Sequence, residues 1–295
     1  MRMIAPVAIG DAHLIASSLA ENEYAAWSAQ TTYAAQARVL YNHAIYEAAK
    51  QSMGQNPQGD TQGSWIRLGA TNRFKAFDGL LSDPAKANAE MRFELRIPSY
   101  VTAIAVINLK ASSLRIEAIN SLGAQVYLRE ISLISADAVF DWYSYFFSEF
   151  ELSNEVLLDD IPPYLNLSVT ITLTGRAIEV GQIVLGTFDD LGSARYGTAV
   201  TFKDYSTKER DTFGNAIVVE RSFADVVDFE FEVETGRVRQ LRRKIANRRA
   251  KPTVFYARTD TLHYGTLVYG FAGQLHVVLT GPQVSNVTLD VEGLI

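Results

Sequence analysis

Leu165-Asn-Leu-Ser-Val-Thr-Ile-Thr-Leu-Thr174 places an apolar residue at every second position. Successive side chains of a strand point to opposite faces, so this stretch is a strand with one dry face and one wet face. The same alternation recurs at Phe93, Leu95 and Ile97 between charged neighbours, and at Leu114, Ile116 and Ala118 around Arg115 and Glu117. Val101 to Leu109 is more uniformly apolar and reads as a central strand. Further strands are expected at Ala216–Glu220, Val226–Val233, Val254–Ala257, Leu267–Phe271, Gln274–Leu279 and Val287–Val291. Gly, Asn and Pro punctuate them at short intervals and no strand–helix–strand rhythm is present. The chain is therefore mainly β, with antiparallel strands arranged as a sandwich or jelly roll.

Two regions depart from this texture. Asp11 to about Asn22 reads as a short helix capped by Asp11, with Leu14, Ile15, Ser18 and Leu19 on one face. Between Trp27 and Gly69, the β-like pieces Arg38–Leu40, Ile45–Ala48 and Trp65–Leu68 flank a polar loop, Gln51 to Gly63. A unit of that size has little core and depends on a few aromatic rings. Near the other end, residues 236–250 form an expected helix bracketed by Gly236 and Pro252, with Val238, Leu241 and Ile245 as a narrow apolar stripe. The expected parts are thus 1–70, 71–192 and 193–295.

With 295 residues, 48% of them hydrophobic and 20% charged, the chain can bury sizeable cores. It has no cysteine, which excludes disulfides, thiolate nucleophiles, Cys-ligated zinc and iron–sulfur clusters. A net charge of −6 argues against nucleic acid as the main partner. Met1 to Gly10 is apolar, but Asp11 and His13 interrupt it before a secretion signal could form. The longest uncharged stretch, Thr261 to Leu289, is broken by glycines and Pro282 and alternates like a strand, so no membrane insertion is expected. These features suggest a soluble protein made in the cytoplasm.

Signatures of catalysis are absent. No zinc-protease, phosphate-loop, nucleophile-elbow or dinucleotide pattern occurs, so no enzymatic activity is expected. His13, His43, His263 and His276 lack ligand spacing, and neither a metal nor another cofactor is expected; only His263 and His276 stand where a hairpin would bring them together. The neighbouring acids Asp159-Asp160 and Asp189-Asp190 point to opposite faces of a strand, so neither pair by itself clasps a sugar as a glycosidase does. The sharpest local feature is cationic. Arg237, Arg239, Arg242, Arg243, Lys244, Arg248, Arg249 and Lys251 carry +8 without an acid among them, leaving −14 on the rest of the chain. A contact with acidic surface, in the same chain or a neighbouring copy, is the favoured reading; a solvated face and DNA facing a tube lumen are the alternatives. Trp142, Tyr143 and Tyr145, in a run reaching Phe147, would put rings on both faces of a strand, one face core and the other an interface or sugar platform.

The Trp27–Gly69 unit resembles small chitin-binding-type carbohydrate-binding modules. The resemblance rests on Trp27, Thr31-Thr32-Tyr33, Val39, Ile45-Tyr46-Glu47-Ala48, Pro57 and Trp65 followed by Leu68-Gly69. It implies that Trp27, Tyr33, Tyr46 and Trp65 stack on sugar rings, although Ala34-Ala35-Gln36-Ala37 replaces the Gly-polar turn of that family. Gly69-Ala-Thr-Asn-Arg-Phe-Lys-Ala-Phe-Asp78 then looks like a family of bacteriophage tail proteins. Matching points continue through Asp141-Trp142-Tyr143, Ile161-Pro162-Pro163-Tyr164, Leu191-Gly192, Tyr196-Gly197, Asp204-Tyr205-Ser206 and Phe213-Gly214. That resemblance implies a virion component near the tail tip, baseplate or fibre attachment, with a middle domain similar to galactose-binding-like jelly rolls. Its implied partners are other copies of itself, as a trimer or hexamer, other tail proteins and a host surface glycan.

Overall fold

The computed structural model describes residues 1–135, 151–210, 212–257 and 265–295. Among them the chain is antiparallel β with a single α-helix, Val238–Arg248. The hub is a long strand, Leu167–Asp190. In its first half Leu167, Val169, Ile171 and Leu173 are fully buried and alternate with wetter residues, as the sequence pattern requires. Ile171 lies opposite Ile116 of strand Ser113–Ile119 on one side and opposite Phe93 of strand Ala85–Ile97 on the other.

The register then slips between Gly175 and Ile178, where Ala177 adopts φ +98°. A Cβ at Gly175 would sit 2.9 Å from the Ser112 backbone nitrogen, so the bend needs a glycine there. Beyond it the strand takes new partners, Ala103–Lys110 and Arg2–Pro6. Ile183, Val184 and Leu185 are buried in succession, because this half is covered on both faces.

Arg2–Pro6 also pairs with Thr253–Tyr256, and from there the sheet continues through Val268–Val278, Val284–Gly293 and Phe223–Glu234. One hydrogen-bonded sheet therefore runs across the boundary expected at residue 192. Its bridging strand comes from the very start of the chain, which the sequence assigns to a separate N-terminal unit. The regions expected as Leu267–Phe271 and Gln274–Leu279 form one strand with a bulge between Ala272 and Leu275.

The helix expected from Asp11 to Asn22 is not formed. Leu14–Ser17 is a strand paired with Ala85–Ile97. Leu14 is 4% exposed and Ile15 50%, and the edge of the 85–97 strand supplies hydrogen bonds that an isolated helix of this length could not match.

The small unit holds a three-stranded sheet of Arg38–Tyr41, Ala44–Ala48 and Trp65–Ala70. Its first hairpin turns at Asn42 and His43, both at positive φ (48° and 60°), the geometry of a type I′ turn. Three clusters fill the main body. One surrounds Phe93 and Ile171, one lies at the junction around Ile4, Val184 and Tyr256, and one packs Leu241 and Ile245 of the helix onto Phe229, Phe231, Val287 and Leu289.

Candidate functional site

The small unit folds around its own rings. Tyr46 and Trp65 are each 7% exposed, and Trp27 and Tyr33 pack against them. Trp27 meets Tyr41 edge-on at 5.4 Å, and Tyr33 meets Trp65 edge-on at 5.3 Å. The Trp65 indole donates to the Gln55 carbonyl, and the Tyr33 hydroxyl accepts from the Ser28 backbone. Tyr46 and Trp65 are thus core of a unit with little else to bury, and the half-buried Trp27 and Tyr33 lie against that core. A sugar face would need them side by side in water, which this packing does not provide.

His43 joins the unit to the body. Its Nε2 lies 2.8 Å from Asp11 Oδ2, its Nδ1 lies 2.8 Å from Glu21 Oε1, and its ring stacks on Phe74 at 4.3 Å. Partial burial works against the imidazolium, but the hydrogen bonds it donates to Glu21 and Asp11 outweigh that and raise the histidine pKa. The sequence gives no hint of this clasp, whose three members come from separate segments.

The paired acids are structural. Asp159 accepts from Arg2 Nη1 at 2.7 Å and from the Tyr256 hydroxyl at 3.0 Å. Asp160 accepts from Tyr127 and Arg129. Asp189 receives Lys244 at 2.5 Å, while Asp190 caps the Gly192 amide.

A different carboxylate stands apart. Glu155 lines a cleft of about 300 Å³ with Asp225, Asn108, Asn154, Phe223, Tyr269 and Leu294. Burial, and then the charge of Asp225, raise the Glu155 pKa to about 7. Glu155 and Asp225 lie on strands far apart in sequence, so no spacing rule would pair them. Among the described residues no group of three or more His, Asp or Glu side chains is arranged to hold a metal.

Among the described residues, exposed apolar side chains cluster on a two-stranded ribbon. Ala199–Asp204 pairs with the start of Phe223–Glu234, and beyond it Thr207–Arg210 pairs with Ala216–Val219. Its stem is pinned: Glu292 receives Lys203 at 2.9 Å and the Tyr205 hydroxyl at 2.5 Å, and Lys208 reaches Asp204 at 2.9 Å. Hydrogen bonds from Ser206 and Lys208 hold the Asp204 carboxyl well below the usual range, so the stem stays ionised.

Exposed apolar side chains stand both on the stem and beyond it. Phe202 is 71% exposed, Val218 61% and Ile217 50%, and Val200, Val219 and Phe223 are also exposed. Val218 points away from Ile217 and Val219, so each face of the ribbon carries exposed apolar residues beside the charged partners Lys208 and Glu209. Two strands alone are marginal in water, and clustered exposed apolar residues mark a surface that meets another. The adjoining helix adds charge. Arg237, Arg239, Arg242, Arg243, Arg249 and Lys251 are exposed, and among the described residues none forms an ion pair. Lys244 alone is spent within the chain, on Asp189.

Trp142, Tyr143, Tyr145 and His263 lie outside the described residues. No helix of the described residues is long and apolar enough to cross a membrane. Comparison with protein-family models, with curated proteins and with solved structures returns no match.

Proposed function

We propose that this chain is a structural component of a bacteriophage tail, placed at the tip, the baseplate or a fibre attachment, and acting in virion assembly and host attachment. The observation that carries the assembly reading is the ribbon, where Val200, Phe202, Ile217, Val218, Val219 and Phe223 are exposed together on a stem fixed by ion pairs. Such a surface is costly in an isolated monomer and useful in a particle, where neighbouring subunits cover it. The tail assignment is supported by the Gly69–Asp78 string and the later glycine–aromatic points that resemble tail proteins. A glycan-binding role gains nothing from the small unit, whose four candidate rings are engaged with one another.

The test is incorporation. Tails assembled with the full chain should carry it at fixed stoichiometry, and Ile217→Asp with Val219→Asp should leave the circular dichroism unchanged while removing it from the particles. A chain that stays monomeric and never joins purified tails would overturn the reading.

A further inference from the structure

The C-terminal part of the sheet has two faces of opposite charge. Strand Phe223–Glu234 turns Val227, Phe229, Phe231 and Val233 inward, onto the cluster that Leu241 and Ile245 of the helix cover. By alternation it turns Asp228, Glu230 and Glu232 outward. The next strand does the same, with Val287, Leu289 and Val291 inward and Asp290 and Glu292 outward. Asp228 and Asp290 are direct cross-strand partners, a placement that repels unless something cationic lies over it.

Among the described residues two cations answer these five acids. Arg195 approaches Glu230 and Glu232 at 3.8 and 3.1 Å, and Lys203 meets Glu292. The face keeps an excess of negative charge around Asp228 and Asp290, beside exposed Phe271 and Val278. The helix on the opposite side of the same sheet presents three exposed arginines, Arg239, Arg242 and Arg243, with Arg237, Arg249 and Lys251 exposed at its ends.

We propose that copies of this chain associate head to tail, with the arginine face of the helix of one copy seated on the Asp228–Asp290 face of the next. A second copy is the occupant that the charges select, because the chain carries −14 outside the helix and the complementary face is built into every molecule. The two faces lie on opposite sides of one rigid layer, so the contact is heterologous. It closes into a ring if the rotation between copies divides a full turn, and otherwise continues as a stack. The inference rests on the assembly reading, yet it concerns a different surface from the ribbon.

Charge reversal distinguishes the two. The helix variant Arg239→Glu/Arg242→Glu/Arg243→Glu and the sheet variant Asp228→Lys/Asp290→Lys change exposed or partly exposed side chains, and circular dichroism verifies that each folds. In analytical ultracentrifugation of the full chain, each variant alone should self-associate about a hundredfold more weakly than the wild type. An equimolar mixture should regain association, since each variant then offers the other a complementary face.

Association of the mixture no stronger than that of either variant overturns the head-to-tail contact. So does wild-type-like association of both variants, although that outcome leaves ribbon-mediated assembly standing. A wild type that stays monomeric up to high concentration overturns both, and binding of duplex DNA or anionic vesicles by such a monomer reassigns the helix.

Discussion

Replacing Asp159 with Asn tests whether the bridging first strand is held electrostatically. Asp159 is 9% exposed at its side chain and sits 2.7 Å from Arg2 Nη1, whose own side chain is 25% exposed and also lies over the Phe188 ring at 4.6 Å. Removing one member of a buried pair costs about 3–5 kcal/mol, because the remaining charge keeps its desolvation cost. Two features reduce that figure here. Water reaches part of Arg2, and Asp190 remains 4.0 Å from its Nε.

The expected loss is therefore about 2 kcal/mol, or about 4 °C in Tm for a chain of this size. Asn keeps an oxygen for the Tyr256 hydroxyl, so the loss reports the charge rather than the hydrogen bond. Arg2→Met together with Asp159→Asn should cost at least about 1 kcal/mol less than the two single changes added, measured by urea denaturation. Half-molar salt should barely change that coupling, since a partly buried pair is poorly screened. Strictly additive losses would refute the argument that the pair fastens the strand.

Further outcomes follow from the same geometry. His43 has a raised pKa in the fold, so its contribution is present below about pH 6.5 and lost as pH rises through the higher folded value. His43→Asn, which tolerates the positive φ, should flatten the stability–pH curve in that window alone. Glu155 is raised to about 7, so the stability it lends as a neutral acid should fall between about pH 4.5 and 7, and Glu155→Gln should abolish that slope in denaturant titrations. Trp65→Ala opens the core of the small unit at a cost of about 3–5 kcal/mol, so amide exchange should accelerate across residues 27–70 while the long strand stays protected. Gly186→Ala would put a Cβ 2.1 Å from the Ala5 carbonyl, and should displace the first strand and sharply reduce soluble yield.

Strands with a clean alternation are legible in the sequence because one face is wet: 93–97 forms as read, and 165–174 forms from Leu167 onward, with Leu165 and Asn166 in the preceding turn. The 238–248 helix is equally legible, since its apolar stripe and basic remainder leave only one way to lie on a sheet. What the sequence conceals is pairing between distant segments. Arg2–Pro6 reads only as part of an apolar stretch and becomes the bridge of the sheet, because its edges are completed by residues about 180 and 250 positions away. Asp11–Asn22 reads as a helix by local spacing and becomes a strand because a long neighbour has an open edge. The rings of the small unit were expected on its surface through resemblance, and the lack of any other core draws them inside.

Of the ribbon, Ala216–Val219 reads as strand but not as surface, and the reason bears on function. Ala216-Ile-Val-Val219 and Thr253-Val-Phe-Tyr256 are both short runs rich in apolar and β-branched residues, and either suits the middle of a buried sheet. In the fold every residue of the second is buried and every residue of the first is exposed. Local sequence cannot separate them, since the difference lies in what surrounds each strand. Among the described residues, a segment with core composition and loop-like exposure lacks a covering layer here. Thr207–Arg210 supplies one hydrogen-bonded neighbour, and every residue of Ala216–Val219 stays exposed. On the proposed assembly reading that layer is supplied by another molecule, which would make this ribbon an assembly element rather than a failed piece of core.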